Sequence, residues 1–383
     1  MISQNKAFMQ PKRVVVPLYT QNKLEILVAD NMDVTIGQPL LTNAQTMIYS
    51  PVSGTVINLL RIRDKENDFS FHVVIENDLQ NRLYPSFQKL SKELLITQYF
   101  KSVHRLENLL YVKDHKIVIN TLFVNEPFVS LDAKFFEEES DMIYYALKEL
   151  HEIWAFQEIV LIVKEETQSY FEKMHDLPIK FNVVRPEKRK AYAYEIVNEV
   201  FDEALIRDKT YQYLTHDSLL KIYDMLMEHR PMIFTYVVVS GDAVNQQARY
   251  KVRVGTPFTS IMRISQGYAT DKPKTLTLNA LLENINLMHE EFSITHDVYS
   301  LHVQEHREHE FYECISCGRC NQHCPVGIFP SKIMHYAHKK LYFDFMQSYR
   351  CIECGLCSYY CPSKINVMAF VKEAKEHIRR KKL

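Results

Sequence analysis

All eight cysteines of this 383-residue chain lie between Cys314 and Cys361, in one pattern written twice. The first copy is Cys314, Cys317, Cys320 and Cys324, followed by Pro325; the second is Cys351, Cys354, Cys357 and Cys361, followed by Pro362. Each reads C-x2-C-x2-C-x3-C-P. At that spacing a tight loop turns three thiolates toward one cubane while the fourth leaves at the head of a helix. Where two such clusters share a domain, the fourth cysteine of each run ligates the other cluster. Two antiparallel copies about a pseudo-twofold axis exchange their last ligands for the same geometric reason. The expected sets are therefore Cys314, Cys317, Cys320 and Cys361 for one [4Fe-4S] cluster, and Cys351, Cys354, Cys357 and Cys324 for the second. The competing chemistries are zinc and disulfides. A zinc ribbon wants two separated C-x2-C knuckles, not three thiols at successive x2 spacings. No cysteine is left over, so any further redox centre belongs to an organic cofactor or a partner.

The rest of the chain must position those loops. With 46% hydrophobic residues it can bury several cores, and its length suits roughly two to four domains. A net charge of -1 favours neither nucleic acid nor an acidic membrane, and there is no base-reading motif, so no nucleic acid partner is expected. The first ten residues lack the apolar core of a secretory signal, and no stretch approaches the ~18 consecutive apolar residues of a membrane span. A cytoplasmic location is expected, and clustered thiolates suit a reducing compartment.

Residues 12–80 read as all-β. Val14-Val15-Val16 and Glu25–Val28 are short apolar runs, and Ser50-Pro-Val-Ser-Gly-Thr-Val56 turns sharply into another strand. This segment is similar to the crossing strand of the barrel-sandwich hybrids of biotinyl and lipoyl carriers. Where those carriers present a lysine on a hairpin, this chain has Asn43–Met47; a packing module is expected instead of a carrier. From about Leu83 to Asp202 helical and strand patterns alternate. Phe87–Asn108 has helical spacing, Lys116–Val124 is a buried-strand run, Asp132–Phe156 a long helix, and Ile159–Val163 and Ile179–Val184 are further strands. Alternation of this kind predicts a parallel α/β unit.

That unit contains no glycine: the eight glycines stand at 37, 54, 241, 255, 267, 318, 327 and 355. A phosphate-cradling loop needs positive φ and close backbone approach, and glycine supplies both. The sequence therefore argues against a dinucleotide held in the usual way. A helix over Asp217–Glu228 precedes strands at Met232–Ser240 and Arg249–Val254, a small β-grasp-like pattern. Between 285 and 313 the polar spacing predicts a helix carrying His302, His306 and His309 on one face, a solvated linker or a metal face. A helical insertion over Ile328–Ser348 brings Tyr336, Tyr342, Phe343 and Phe345, with Tyr349 just beyond, near the cysteines. A last helix over Ile365–Arg380 ends in Arg379-Arg-Lys-Lys382, which complements a helix C-terminus or docks on an acidic partner or leaflet.

Tyr349–Ile365, Val239-Ser-Gly-Asp-Ala-Val244, Val254-Gly-Thr-Pro257 and Ser53-Gly-Thr-Val56 together resemble the C subunit of the Rnf electron-transport complex. The resemblance extends over nearly the whole chain. It implies a multidomain α+β protein: an N-terminal barrel-sandwich hybrid (1–82), a degenerate Rossmann-like α/β domain (83–205), a helix plus a small β-grasp, soluble-ligand-binding (SLBB-like) domain (206–285), and a helical linker with an α-helical dicluster ferredoxin domain (286–383). It also implies a peripheral protein on the inner face of the cell membrane. Its partners would be the membrane subunits of an ion-translocating ferredoxin:NAD oxidoreductase, with ferredoxin or a flavoprotein as redox partner. The family's glycine-rich flavin loop corresponds to Thr97–Ser102 here and has no glycine. Asn125 and Glu126, followed by Pro127, resemble the acidic element beside the family's flavin, and Pro186–Lys190 replaces a later glycine-rich segment. Asn125 and Glu126 are thus the candidate remnant of a flavin site, while FMN and NAD are not expected as cofactors. Two other readings stay open: a flavin-dependent NADH dehydrogenase module with an atypical site, and an electron-transfer subunit of a soluble oxidoreductase akin to cobalamin reductases.

Overall fold

The computed structural model describes residues 3–4, 10–19, 25–42, 47–63, 69–85, 91–92, 116–121, 134–184, 211–229, 231–279, 285–287, 292–306, 312–324, 326–338, 346–351 and 353–382. Asn125, Glu126, Thr97–Ser102, Pro186–Lys190, His309, and most of the helix expected over Phe87–Asn108 lie outside them.

The N-terminal unit is two small sheets on one core. Strands Arg13–Tyr19, Phe69–Asn77, Gly54–Arg63 and Asp33–Val34 form the first, in that spatial order, and Glu25–Ile26, Pro39–Thr42 and Met47–Tyr49 the second. Val14, Val34, Leu40, Leu41, Val56 and Ile75 fill the space between them. The Ser-Pro-Val-Ser-Gly-Thr-Val turn has a steric explanation. A Cβ at Gly54 would lie 1.9 Å from the Glu76 carbonyl oxygen on the paired strand. Gly54→Ala is expected to destabilise the protein by ~3 kcal/mol, the upper end of overpacking in a filled site, read as a drop in urea midpoint. A loss under ~0.5 kcal/mol would show that the strands can separate without penalty.

The α/β unit has four parallel strands in the order Ile179–Val184, Glu158–Lys164, Lys116–Asn120, Tyr211–Thr215. In chain order this is 3-2-1-4, and the order reverses between Lys116–Asn120 and Tyr211–Thr215, a topological switch point. Buried runs such as Ile159 and Leu161–Val163 explain why the strands show no alternation. The helices Lys134–Trp154 and His216–Glu228 cover one shared core with Ile143, Leu147, Leu150, Leu219, Ile222 and Met225. Thr215 caps the second helix, its hydroxyl accepting from Ser218 N at 3.3 Å.

The third unit is a six-stranded mixed sheet, in the order Ser3–Gln4, Ala248–Arg253, Phe234–Ser240, Ser300–Glu305, Lys274–Leu278, Ile285–Leu287. It runs past residue 285 and corrects the helix expected over 285–313. Ser300–Glu305 is a strand, parallel to Phe234–Ser240 and antiparallel to Lys274–Leu278. The reading failed because His302 and His306, four apart, have helical spacing, whereas Leu301 and Val303 alternate into the core as a strand does. Of the three histidines, the two among the described residues are hydrogen-bonded: His302 Nδ1 pairs with Ser240 Oγ at 2.8 Å, and His306 Nδ1 with Thr275 Oγ1 at 3.1 Å.

Strand Ala248–Arg253 joins the three units. Ala248, Tyr250 and Val252 enter its own core. Arg249, Lys251 and Arg253 occupy the other face, and each reaches a neighbour. Arg249 binds Glu139 and Asp217 of the α/β unit, and Lys251 binds Asp224 at 2.6 Å. Arg253 donates to the Pro51 carbonyl and to Asn81 Oδ1 of the N-terminal unit.

This docking carries a pH dependence. Burial beside Arg249 holds the His216 imidazole below its ordinary range, although the Asp217 charge pulls the other way. A depressed histidine contributes stability above the unfolded value near 6.5 and loses it as pH falls toward the folded value. The urea midpoint is therefore expected to fall from pH 7.5 to 5.5, by at most about 1.4 kcal/mol per pH unit below 6.5 for this one proton. His216→Phe is expected to flatten that slope; an unchanged slope would exclude His216 as its source.

Candidate metal centres

The two cysteine motifs repeat as backbone as well as sequence. Every position in the first has its counterpart 37 residues on. Left-handed φ recurs at Ser316 and Glu353, at Gly318 and Gly355, and at Gly327 and Lys364. Short helices Arg319–Gln322 and Leu356–Tyr359 follow the two loop glycines, and longer helices Pro330–His338 and Val367–Lys382 follow the last cysteines. Even the caps correspond: Asn321 Oδ1 accepts from Ser331 N at 3.1 Å, and Ser358 Oγ from Met368 N at 2.9 Å. The left-handed residues curl both loops in the same way.

The long helices pack through Ile333, Val371, Ala374 and Ile378, and this brings cysteines of the two copies together. Cys324 and Cys351 pack on that apolar group. Cys320, Cys357 and Cys361 gather on a second, made with Met334, Val367 and Met368. A cavity walled by Val326, Ile328, Met368 and Val371 is lined by Cys324 from the first copy and by Cys351, Cys354 and Cys357 from the second. On the other side, Cys320 feels the charges of Cys317 and Cys361.

Apolar burial pushes the Cys357 thiol up to about 12, neighbouring thiolates adding to the effect, and the Cys354 thiol up to about 11. Cys351 and Cys320 shift upward for the same leading reason. At such values the thiols are protonated, and a metal bound there would have to displace those protons to be held by thiolates. Among the described residues no three His, Cys, Asp or Glu side chains converge on one ion-sized point. Four of the cysteines, Cys324, Cys351, Cys354 and Cys357, line one cavity instead, a donor set that fits a polynuclear cluster, and none of the eight is in a disulfide.

The two loops differ in their support. Lys375 Nζ donates to the Cys351 carbonyl at 2.7 Å and to Glu353 Oε1 at 2.8 Å. Burial works to raise the Glu353 carboxyl, but Lys375 and then Lys372 outweigh it and hold it below the usual range. The Glu353 amide in turn donates to Cys351 Sγ at 3.4 Å. The first loop has Ser316 in place of Glu353, and Tyr312 through Cys317 are exposed without a break, Tyr312 at 59% and Ile315 at 67%. Of the aromatics expected near the cysteines, Tyr336 packs beside Cys324 and Cys351. Tyr349 is exposed, and Tyr342, Phe343 and Phe345 lie outside the described residues.

Residues 313–365 match the family model of the 4Fe-4S dicluster domain. The chain is 21% identical over 245 residues to the C subunit of the ion-translocating oxidoreductase complex of Rhodobacter capsulatus, covering 58% of this chain and 46% of that protein. It is 23% identical over 331 residues to the protein of the same name from Buchnera aphidicola, covering 76% and 63%. The chain is thus similar in sequence to C subunits of ion-translocating oxidoreductase complexes. To the C subunit of the Na(+)-translocating ferredoxin:NAD(+) oxidoreductase complex of Acetobacterium woodii it is 25% identical over 150 residues, 38% of this chain and 33% of that one. It thus spans about half the length of the first of these relatives, or less. Among solved structures, the NAD+-reducing [NiFe]-hydrogenase in the H2-reduced state superposes with a TM-score of 0.50 at 7% identity, over 78% of this chain and 63% of that one, a likeness of fold alone. Among the described residues, no helix is long and apolar enough to cross a membrane.

Sequence reasoning found all eight cysteines. It missed the Lys375–Glu353 support and the Arg249 junction, because both join residues far apart in the chain; the alternation Arg249, Lys251, Arg253 was the available signal.

Proposed function

We propose that this chain is the electron-transferring iron–sulfur subunit of an Rnf-like ferredoxin:NAD oxidoreductase. It would hold one [4Fe-4S] cluster through Cys314, Cys317, Cys320 and Cys361 and another through Cys351, Cys354, Cys357 and Cys324. The observation that carries this reading is the cavity in which Cys324 joins three cysteines of the other motif. Each cluster supplies one-electron redox chemistry when bound. The chain's own residues exclude water with Val326, Ile328, Met368 and Val371, direct a backbone N–H at Cys351 Sγ, and brace the second loop with Lys375. No proton-transfer residue is needed for such a step.

The three preceding units, a barrel-sandwich hybrid, a Rossmann-like domain and a β-grasp domain in this reading, serve as scaffold. The proposal that the α/β unit holds no FMN or NAD rests on its lack of glycine and on the charges at its switch point. Glu139 and Asp217, on the helices that follow the two diverging strands, are buried together on Arg249. Two carboxylates there disfavour a phosphate. Asn125 and Glu126 remain the candidate flavin contacts should one bind. We place the protein peripherally on the cytoplasmic face of the membrane, with the membrane subunits as partners and ferredoxin or a flavoprotein as redox partner.

Anaerobic purification followed by iron, sulfide and flavin analysis tests this. About eight irons without flavin are expected, the content of two cubanes; stoichiometric zinc would overturn the reading, and one FMN per chain its flavin-free half. Exposure of Tyr312–Cys317 adds an expectation: a chelator should strip iron in two phases, the first set before the second. A single phase would show that the loops protect iron equally.

A further inference from the structure

His323 and Tyr360 are counterparts in the two motifs, each immediately before the last cysteine of its run. Their rings stack face to face, centroids 3.5 Å apart and planes inclined by 11°. A residue and its own counterpart touch only where the twofold axis passes, so this pair lies on the pseudo-twofold axis of the domain. The residues that follow are the two that change sides: Cys324 lines the cavity of the second motif's cysteines, and Cys361 packs with Cys320 of the first. The backbone carrying each crossing thiol is thereby tied, one residue away, to the backbone carrying the other. Tyr360 is held from its own side by Tyr359, edge-on at 5.2 Å, and by Leu356.

We propose that the His323–Tyr360 stack is a positioning pair that sets the separation and mutual orientation of the two cysteine sets, and through them the coupling between the two clusters. This rests on the two-cluster reading above. Electron exchange between sites depends on how closely and in what orientation they are held, and a flat stack fixes both more tightly than aliphatic packing, which permits rotation. Neither ring acts as a ligand; each works through the cysteine beside it.

The test uses full-length protein purified anaerobically, with iron counted, then reduced with dithionite and examined by EPR. The wild type is expected to show the split, broadened signal of two interacting reduced clusters. His323→Leu and Tyr360→Leu, which fill the space without stacking, should lose or visibly shrink that splitting, while His323→Phe and Tyr360→Phe should retain it. Leucine variants with full iron and unchanged splitting overturn the proposal, as do phenylalanine variants that lose it equally, or a wild type with about eight irons and no interaction. Should a leucine variant assemble fewer irons, the phenylalanine pair decides: splitting equal to the wild type supports the proposal and a reduced one overturns it. A wild type holding iron for one cluster or none instead fails the underlying two-cluster reading.

Discussion

Arg249→Met is expected to lose about 3–5 kcal/mol of stability, the scale of breaking a buried ion pair from one side. Arg249 is 2% exposed and bonded to both Glu139 and Asp217, with the Tyr236 ring 4.8 Å from its guanidinium. Removing it leaves two buried carboxylates facing each other without a cation. Burial alone would raise the Asp217 carboxyl, yet Arg249 holds it below its ordinary value. A depressed carboxyl contributes stability above its unfolded value and loses it as pH falls through the folded one. The wild type should therefore keep this contribution down to about pH 4, whereas the variant should gain stability on mild acidification as its orphaned carboxylates take up protons. Urea unfolding at pH 7.5 and 5 distinguishes the two. A second variant separates charge from packing: Arg249→Met with Glu139→Leu and Asp217→Leu should recover most of the loss. If Arg249→Met costs under ~1 kcal/mol, water must reach the junction.

Cys324→Ala is expected to affect the cluster of the other motif. In the crossed assignment Cys324 is the fourth ligand to Cys351, Cys354 and Cys357, with which it shares a cavity. Cys361→Ala should reciprocally affect the cluster of Cys314, Cys317 and Cys320. Each variant should fall from about eight irons to about four, or retain a three-iron cluster at the altered site. The chelator phases identify which site was lost: Cys324→Ala should retain the fast phase of the exposed first loop, and Cys361→Ala the slow phase. The opposite pattern would mean that each motif keeps its own fourth cysteine.

Much of the architecture was legible because local patterning agreed with tertiary placement. The long helix expected over Asp132–Phe156 is present as Lys134–Trp154, and the apolar runs at 116, 159 and 179 are parallel strands, the first two of them buried. Legibility failed at Ser300–Glu305, where a strand at the centre of a mixed sheet carries His302 and Gln304 among its apolar residues. The pairing of His302 with Ser240, 62 positions earlier in sequence, permits a polar side chain to be buried there. No local window contains that partner.

The sequence by itself determined the chemistry this chain can hold: eight thiols at one repeated spacing, with a glycine at the same place in each loop, and no glycine in the α/β unit. Spacing determines these things because a loop of a few residues has few ways to turn. Only the tertiary structure decided that Lys375 braces one loop and leaves the other open, that His323 lies on Tyr360, and that the charged face of Ala248–Arg253 is buried against two neighbouring units. Those are contacts between surfaces distant in the chain, set by how whole helices and sheets pack, and a side chain's partner across such a junction leaves no periodicity in its own segment.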